Sequence, residues 1–498
     1  MISCIKKNLL KKLSFIHLFN KFILKLKITN FLGNGFLLNI IVLGELFKLS
    51  HNIDNGNPLD SESTLDTNAS AMKITPDFDP MIRIIFWNSM GFFFFSFLIP
   101  YVTVQLLGAT GTVLGLTFSI QVTGGLISAP IVGYLTDRVS KKLLILIGSF
   151  GRGACYILMF LGILLSSLLI FAIGMFVLGF FVGFFWTPLD TLISEKSNIS
   201  NRSFAFGKRT GMIGKGNLVG SIISFIIFSL AIIFTPENLF LVYSPLILFA
   251  ASNVLGGIIF HRKVDEELTY DKHIFNLFPS SVEPIMVSKE PVIPDNSVEP
   301  KNNLATGFFF GFSVLTIAFM VSSMNQSLAY PFFQVYLIEE LKVEMPILVM
   351  LIYFPAQVLS MLFAPKLGKI ADKVNPVLGI AVVSGLGALV TWFLINSTSG
   401  VMFGFILLFD ATFAWGGNLI LQNVLSRISK IHRGKIFGAA QWLSLLGAVL
   451  GPTLGGLAWD NLGPSAPFMI SIFIELSVIP LYAIAIISLK SYMAEKVD

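Results

Sequence analysis

The chain is short of charged residues and of cysteine. Only 12% of its 498 residues are Asp, Glu, Lys or Arg, against about 25% in an average soluble domain. Its two cysteines, Cys4 and Cys155, lie in different contexts, so no disulfide framework is implied. No His/Cys cluster has metal-ligand spacing and no G-x-x-x-x-G-K-[ST] loop occurs. The sequence therefore predicts neither a metal centre nor a built-in ATPase.

Hydrophobic residues make up 54% of the chain, and a water-soluble protein of this composition could not cover its surface with polar groups. Twelve apolar segments reach the roughly 20 residues that a helix needs to cross a bilayer, in two groups of six. They must be helices, because lipid offers no hydrogen-bond partner to an open strand edge. The predicted spans lie near 84–107, 112–135, 143–165, 168–193, 211–235, 239–260, 305–338, 345–367, 376–396, 400–425, 436–459 and 465–489.

The basic residues lie on one side of these spans. The loops 133–142, 195–210, 366–373 and 427–435 hold fourteen Lys and Arg, whereas the opposite loops hold only Lys342. Short cytoplasmic loops carry an excess of Lys and Arg. We therefore expect these loops, the central loop and the C-terminus on the cytoplasmic side of a cell membrane.

The spans divide the chain into five segments. Residues 81–260 and 305–490 each form a six-helix bundle, and 491–498 is a cytoplasmic tail. The central loop 261–304 is polar and interrupted by proline, which is typical of a flexible linker. Residues 1–80 are basic and then acidic, and we expect a poorly ordered extension. The alternatives for it are an interfacial amphipathic helix, a removable signal-like segment or a stretch upstream of the true start.

The two groups of six are copies of each other. At an offset of 235, APIVGYLTDRV at 129–139 aligns with APKLGKIADKV at 364–374. At an offset of 231, Gly220 aligns with Gly451. Two matches at nearly the same offset indicate a duplication, and parallel six-helix repeats are an architecture of transporters.

The pattern G-x-L-x-D-R-x-x-K-K at 133–142 resembles the signature loop of the major facilitator superfamily, and a degenerate copy follows the eighth span. The resemblance implies an all-α membrane protein with twelve transmembrane helices in two pseudo-symmetric six-helix bundles. It implies transport of a small solute by alternating access. The driving force would be a proton or cation gradient, with no cofactor.

In that family the loop belongs to a latch that closes the cytoplasmic side in the outward-open state. Gly133 would let two helices approach closely. The carboxylate of Asp137 would dock on a helix N-terminus, where the dipole is worth about 0.3–1 kcal/mol, and its basic neighbours would pair with acids such as Asp190 and Glu195. The alternative is a topology signal alone. The resemblance assigns to the latch Gly133, Asp137, Arg138, Lys141, Lys142, Asp190, Gly368, Asp372 and Lys373.

A second motif, GAAQWLSLLGAVLGPTLGG at 438–456, resembles one associated with antiporters of the same superfamily. There it lies in span five, whereas here it lies in span eleven, the repeat-equivalent position. Two interpretations stay open: close helix packing through glycine with a bend at proline, or an antiport mechanism. The motif residues are Gly438, Gly447, Gly451, Pro452, Gly455 and Gly456.

Polar side chains within the spans predict a cavity. In the family fold spans one, four, seven and ten line it, and Pro331 would kink span seven. The polar residues that we expect there, with one from span two, are Asn88, Tyr101, Gln121, Asn325, Gln326, Tyr330, Gln334, Trp415 and Asn418. Each alone could equally be a helix–helix hydrogen bond, and the set together indicates a solute site.

Asp410 lies near the midplane of span ten, where an ionisable residue costs about 2.5–3.5 kcal/mol on insertion scales. We expect it to couple transport to a cation by loading and releasing a proton as access switches. The alternative is a fixed structural charge, with Lys215 as a possible partner. Arg152 in span three is interpreted as structural, with contact to a substrate anion as the alternative.

We predict a secondary active transporter and not an enzyme. Proton-coupled efflux (antiport) of a small, moderately apolar solute is the first choice, and uptake by symport is the alternative. A membrane receptor or scaffold that kept the fold and lost transport is the alternative of another class. The expected partners are the lipid bilayer and a small-molecule substrate, without nucleic acid, and we expect a monomer.

Overall fold

The computed structural model describes five stretches of the chain, residues 74–197, 202–270, 302–343, 374–428 and 433–490, with isolated positions between 345 and 356. In these stretches the chain is almost entirely helical. The helices are α1 Phe78–Ser89, α2 Phe92–Pro100 (continued by a π-helical turn, Tyr101–Leu106), α3 Gly111–Thr136, α4 Lys141–Leu164, α5 Leu168–Glu195, α6 Arg202–Phe234, α7 Leu239–Val242, α8 Pro245–Lys263, α9 Asn302–Ala329, α10 Phe332–Glu339, α11 Pro376–Ile395, α12 Gly400–Ile428, α13 Arg433–Leu462 and α14 Ala466–Leu489.

Eleven helical segments in the described stretches are long and apolar enough to cross a membrane. α1, α2 and the π-helical turn together make one span, Phe78–Leu106, and α9 continues into α10 across Pro331 as another, Gly307–Glu339. The eighth predicted span, 345–367, lies almost wholly outside the described residues. The eleven segments match the other predicted spans in position, and the predicted all-helical membrane fold is confirmed.

Polar residues mark where several helices begin. Thr110, Ser140 and Ser167 stand directly before α3, α4 and α5, and each side-chain oxygen accepts a hydrogen bond from a backbone N–H of the first turn. Such a cap satisfies a donor that has no partner within the helix and is worth about 1 kcal/mol. The apolar runs therefore start as helices where the polar loops end.

Each group of helices packs into its own bundle. In the first, α4 packs on α5 and α8, α3 on α5, and α1 on α6 and α8; in the second, α9 packs on α13 and α14, and α11 on α12 and α14. The core of the first bundle is aromatic. The Phe94 ring lies edge-on to Phe225, Phe228 and Phe249, with centroids 4.9, 5.6 and 5.8 Å away, the arrangement that aromatic pairs prefer.

Glycines join the same pair of helices in both bundles. A methyl group at Gly220 of α6 would collide with the backbone carbonyl of Met90 in the first span, and one at Gly451 of α13 would collide with that of Met324 in α9. The neighbouring motif glycines that meet the backbone of α9 in the same way are Gly447 and Gly455. The sequence match at an offset of 231 is therefore also a match of packing, and close packing accounts for these glycines.

The two bundles contact each other through α3 and α13, at the end opposite the basic loops. Gly115 of α3 lies against the backbone carbonyl of Pro452, and Gly456 of α13 lies against the backbone of Gly111. Gly438 lies in the first turns of α13, and its surroundings are outside the described residues. The last part of the glycine–proline motif thus packs one bundle on the other.

Asp460 of α13 extends this contact to the helix end. Its carboxylate accepts hydrogen bonds from the backbone N–H groups of Gly111 and Thr112, both at 2.8 Å, in the first turn of α3. A negative charge there is stabilised by the free N–H groups and by the helix dipole. The end of α13 and the start of α3 are joined by this carboxylate.

Lys196 connects the ends of several helices at the basic end of the first bundle. Its side chain is 0% exposed. Its ammonium group donates to the Asp77 carboxylate at 2.8 Å and to the carbonyl oxygens of Asp265 and Leu268 at 2.6 and 2.7 Å. An ammonium has three donors, so each of them has a partner here.

Glu266, which follows α8, caps the start of α4. Its carboxylate accepts from the backbone N–H groups of Lys141 at 2.6 Å and Lys142 at 3.2 Å, and from the Ser140 hydroxyl. A carboxylate does therefore dock on a helix N-terminus beside the signature loop. The carboxylate that does so belongs to Glu266 and not to Asp137.

The first residues of the predicted central linker belong to the first bundle. The chain beyond α8 is held by Lys196 and Glu266, so residues 264–270 pack on the helices, which the polar composition of 261–304 does not predict. Most of that linker, residues 1–73 and residues 491–498 lie outside the described residues. The predictions for those segments stay predictions.

Candidate functional site

A cavity of about 350 Å³ lies inside the second bundle. Its described walls come from α9, α11, α12 and α14, with Phe333 of α10 and Tyr353. Along each helix the lining residues recur every three to four positions, so each helix turns one face to the cavity. On α14 they are Ser471, Glu475, Val478 and Tyr482.

Two carboxyl groups, those of Asp410 and Glu475, line this cavity at the same depth. They lie about 15 Å and about 14 Å along α12 and α14, at 1.5 Å per residue, from helix starts on the same side of the bundle. Thr391 Oγ1 of α11 lies 3.5 Å from Asp410 Oδ1, and Glu475 Oε1 lies 3.6 Å from where a Cβ on Gly387 would be. Because Gly387 and Thr391 are neighbours on one helix face, both carboxyl groups face one turn of α11.

Asn325 of α9 binds one of these carboxyl groups and keeps an unpaired acceptor. Its Nδ2 donates to Glu475 Oε2 at 2.7 Å. The residue is 4% exposed and lines the cavity, and its Oδ1 has no hydrogen-bond partner among the described residues. Buried polar atoms usually have a partner, so this oxygen is an open position in the site.

Aromatic rings form much of the remaining wall. The aromatic lining residues are Tyr330, Phe333, Tyr353, Phe413 and Tyr482. No Lys, Arg or His occurs among the described residues that line the cavity. The two carboxyl groups therefore share an enclosure in which no described side chain supplies a positive charge.

Lys215 is not the partner of Asp410 in this structure. It lies exposed on α6 of the first bundle, and the cavity that contains Asp410 is lined, in its described part, by the second bundle alone. The interpretation of Asp410 as half of a fixed ion pair with Lys215 therefore has no support in the geometry.

The predicted cavity residues whose side chains the structure describes fall into two groups. Those that line the cavity are Asp410, Asn325, Gln326, Tyr330 and Asn418. Trp415 lies in α12, but its side chain is outside the described residues. Those that do not line this cavity are Asn88, Tyr101, Gln121 and Gln334. All four are polar residues of spans one, two and seven whose helices turn them elsewhere.

Asn88 connects helices within the first bundle. Its Nδ2 donates to Ser149 Oγ at 3.1 Å, and its backbone carbonyl accepts from Arg152 Nη2 at 2.8 Å. Arg152 is 0% exposed, and its guanidinium lies 5.3 and 5.4 Å from the ring centres of Phe92 and Phe185. Asn88 and Arg152 thus make helix–helix contacts between the first span and α4. These contacts agree with the interpretation of Arg152 as a structural residue.

The other predicted residues that do not line the cavity also pack within the helices. The Tyr101 ring stacks on Phe97 with centroids 5.7 Å apart, and the backbone of Gln121 lies against Gly179 of α5. Gln334 is 4% exposed in α10. A polar residue in an apolar run indicates that one helix face makes a polar contact. The sequence does not show whether that face lies against another helix or lines a cavity.

Glu475 could have been found from the sequence. It is the lone carboxylate in the apolar run PFMISIFIELSVIPLY, which is the same signal that singles out Asp410. The family pattern of spans one, four, seven and ten leaves out α11 and α14, although both line the cavity. Residues missed for this reason are Ser384, Gly387, Thr391, Glu475 and Tyr482.

The signature loop 133–142 takes part in a network of ion pairs at the basic end. Lys141 pairs with Glu195 at 3.1 Å, one of the two acids expected there. Asp190 pairs instead with Arg209 of α6, through contacts of 2.6 and 2.9 Å. The Arg209 Nη2 group donates a charge-assisted hydrogen bond to Asp190 Oδ2, and such bonds are stronger than neutral ones, which explains why Asp190 lies on Arg209 and not on the loop.

Asp137 and Gly133 make no latch contact with another residue in the described part of the chain. Asp137 is exposed after α3, and no hydrogen bond or ion pair joins its carboxylate to another described residue. A methyl group at Gly133 would meet no described atom within 4 Å. Arg138 lies over the Tyr134 ring at 4.1 Å, and Lys142 donates to a backbone carbonyl after α8. The remaining latch residues, Gly368, Asp372 and Lys373, lie outside the described residues.

Comparisons with known proteins agree with this architecture. A family model described as Major Facilitator Superfamily matches residues 83–440, and no curated protein sequence matches the chain. Among solved structures, one from work on proton-dependent oligopeptide transporters is 16% identical and covers 83% of this chain and 97% of its own, with a TM-score of 0.57. The peptide transporter POT in complex with sulfate is 13% identical (84% and 96% covered, TM-score 0.57). Tetrameric PepTSo2 is 14% identical (83% and 96% covered, TM-score 0.58). At these identities the likeness shows the fold.

Proposed function

Because the chain belongs to the major facilitator superfamily, it is a membrane transporter rather than an enzyme, and we propose that it exchanges a small solute for protons by alternating access. Asp410 and Glu475 are the coupling residues of this antiport. The observation that carries the proposal is the pair of carboxyl groups in one cavity without a described basic partner.

Such a pair favours exchange over joint transport. Two negative charges in an apolar enclosure are neutralised either by protons or by a solute that donates to the same oxygen atoms. A solute that takes these atoms displaces the protons, so solute and protons bind in turn. Binding in turn at one site is what antiport requires, whereas symport requires that both are held together.

The proposal includes an orientation. The basic loops face the cytoplasm, as their excess of Lys and Arg predicts, and the solute leaves as protons enter. Each elementary charge that moves through the membrane potential supplies about 2.3 kcal/mol per 100 mV. A proton gradient with such a potential drives the exchange without ATP.

Symport is the second candidate, because the structures similar to this chain include proton-dependent oligopeptide transporters. The glycine–proline motif of α13 does not favour one candidate over the other, since close packing accounts for its described glycines. The two candidates differ in the direction in which protons move relative to the solute.

The sign of an internal pH change tests the proposal. The protein is reconstituted into vesicles that contain a pH-sensitive dye and begin at equal pH on both sides. A panel of small cationic, neutral and anionic solutes is then added outside. Antiport predicts an alkaline shift inside, because protons leave as solute enters. Asp410→Asn and Glu475→Gln should abolish the shift, whereas Glu237→Gln, which removes an exposed carboxylate that does not line the cavity, should not.

Protein-free vesicles are the necessary control, because weak bases cross lipid as neutral molecules and raise the internal pH by themselves. An acid shift that needs the protein would show symport instead. An alkaline shift that persists in Asp410→Asn would remove the coupling role of that residue. Binding without any movement of solute would indicate the receptor alternative.

A further inference from the structure

We propose that the solute taken by the cavity is a protonated amine with an apolar or aromatic body, bound through its N–H groups. This inference rests on the proposed function and names the class of solute for the same site. Three properties of the cavity carry it: its unpaired buried polar atom, Asn325 Oδ1, is an acceptor in the same cavity as two carboxyl groups, its described lining has no base, and five aromatic side chains line it.

The unpaired buried polar atom of the cavity, Asn325 Oδ1, can only be satisfied by a donor. In the ionised form that binds the solute, the Glu475 carboxylate accepts hydrogen bonds and donates none, so the amide nitrogen of Asn325 faces it, as in the structure. The Oδ1 of Asn325 is then left as a buried acceptor without a described partner. Together with the carboxylate oxygens of Asp410 and Glu475 it forms a set of acceptors, and the negative charge of that set selects a cation.

The walls select an organic cation over a metal ion. An ammonium group is attracted to the faces of aromatic rings, and five aromatic side chains line the cavity. Its volume of about 350 Å³ falls within the roughly 300–1,000 Å³ of small-molecule sites. In the described part of the chain no group of three or more His, Cys, Asp or Glu residues could hold a metal ion. A zwitterion or anion would bring a carboxylate for which the described lining offers no base.

Binding in detergent solution tests the inference without transport. Four probes of equal length are titrated into the purified protein by calorimetry: phenethylammonium, its N-trimethylated form, and the neutral alcohol and the carboxylate of the same length. Phenethylammonium should bind at least about tenfold more tightly than each of the other three, since only it offers both a charge and N–H donors. Its affinity should fall as the pH is lowered, because protons compete for the same carboxylate oxygen atoms.

Two substitutions separate the roles of the acceptors. Glu475→Gln should weaken phenethylammonium binding at least about tenfold, because it removes a charge. Asn325→Leu should bring the affinities of phenethylammonium and its trimethylated form close together, because it removes an acceptor that only the N–H form uses. The matched control is Asn461→Leu, an exposed asparagine of α13 that hydrogen-bonds its own helix, which should leave the affinity ratio unchanged.

The outcomes also separate this inference from the proposed function. Tighter binding of the alcohol or the carboxylate, equal binding of the ammonium and its trimethylated form, or no binding of any probe would overturn the inference. An alkaline shift in vesicles that depends on Asp410 but is produced by a neutral or anionic solute would leave antiport standing. Phenethylammonium binding without such a shift would keep the solute class and reject antiport. If Asn325→Leu does not fold, the selectivity of the unaltered protein among the four probes still tests the inference.

Discussion

Lys196 is a single residue whose charge is wholly enclosed by protein. A buried ammonium is tolerated only where its hydrogen bonds and its charge are both compensated, and Asp77 with two backbone carbonyls provides this. Removal of one partner from a buried pair leaves an uncompensated charge. The stability of the first bundle should therefore depend on this lysine.

Lys196→Met should lower the free energy of unfolding by about 3 kcal/mol, because the Asp77 carboxylate loses its charged partner while it stays mostly buried. The matched control is Lys208→Met. Lys208 pairs with Asp79 at 2.9 Å in a much more exposed setting, where such pairs are worth about 1 kcal/mol or less. Thermal unfolding in detergent measures both. Equal effects in the two variants would contradict the role given to Lys196.

For single residues, the sequence predicts which side chains are unusual better than it predicts what they contact. Asp410 and Glu475 are both visible as carboxylates in apolar runs, since an ionisable group inside a membrane needs a reason to be there. Asn88 and Asn325 look alike in sequence. One connects helices to Arg152 and the other lines the cavity, and only the packing of several helices distinguishes them.

At the level of helices, glycine on α6 decides how closely the first span can approach. Gly220→Ala should destabilise the protein by about 1–3 kcal/mol, because its methyl group would collide with the Met90 carbonyl and overpacking costs about that much. Gly211→Ala on the same helix should be neutral or stabilising by up to about 1 kcal/mol, since nothing described lies within 4 Å and alanine favours helix. Thermal unfolding measures the stability of both variants, and similar losses of stability in both would refute the packing role of Gly220.

Helix positions follow from the sequence because a bilayer sets the length of an apolar run. Pro331 also predicts the break between α9 and α10, since proline removes a backbone donor. The break between α1 and α2 has no such marker. A Cβ on Gly91 would lie 2.9 Å from the ring of Phe249 on α8, so that break is linked to a residue far away in sequence, which local patterns cannot show.

For the whole molecule, Asp460 joins the two bundles at the end opposite the basic loops, and the proposed alternating access requires this contact to open. Asp460→Asn should weaken it by about 1 kcal/mol, because the charge at the α3 N-terminus is lost. That is about a fivefold change in the ratio of closed to open forms. The distance between spin labels at Ala109 and Leu462, with Cys4 and Cys155 replaced, measures this opening. Asp460→Asn should show a larger long-distance population than the protein with Asp460 intact.

Asp137→Asn is the control for this measurement. Its carboxylate is exposed and unpaired among the described residues in this form, so its removal should not increase the long-distance population. If it latches the opposite form, as the signature loop predicts, the substitution should decrease that population. An unchanged distance distribution in Asp460→Asn would show that this carboxylate does not hold the bundles together.

If this polypeptide were expressed as two separate halves, the first half would have to include the residues beyond α8 that pack on its bundle. A cut directly after α8 would deprive Lys196 of the carbonyl acceptors at 265 and 268 and remove the Glu266 cap from α4. A cut after 270 would leave all three with the helices they serve. For gene splitting or for inserting a tag, the cut should therefore lie after residue 270, about seven residues beyond the last turn of α8.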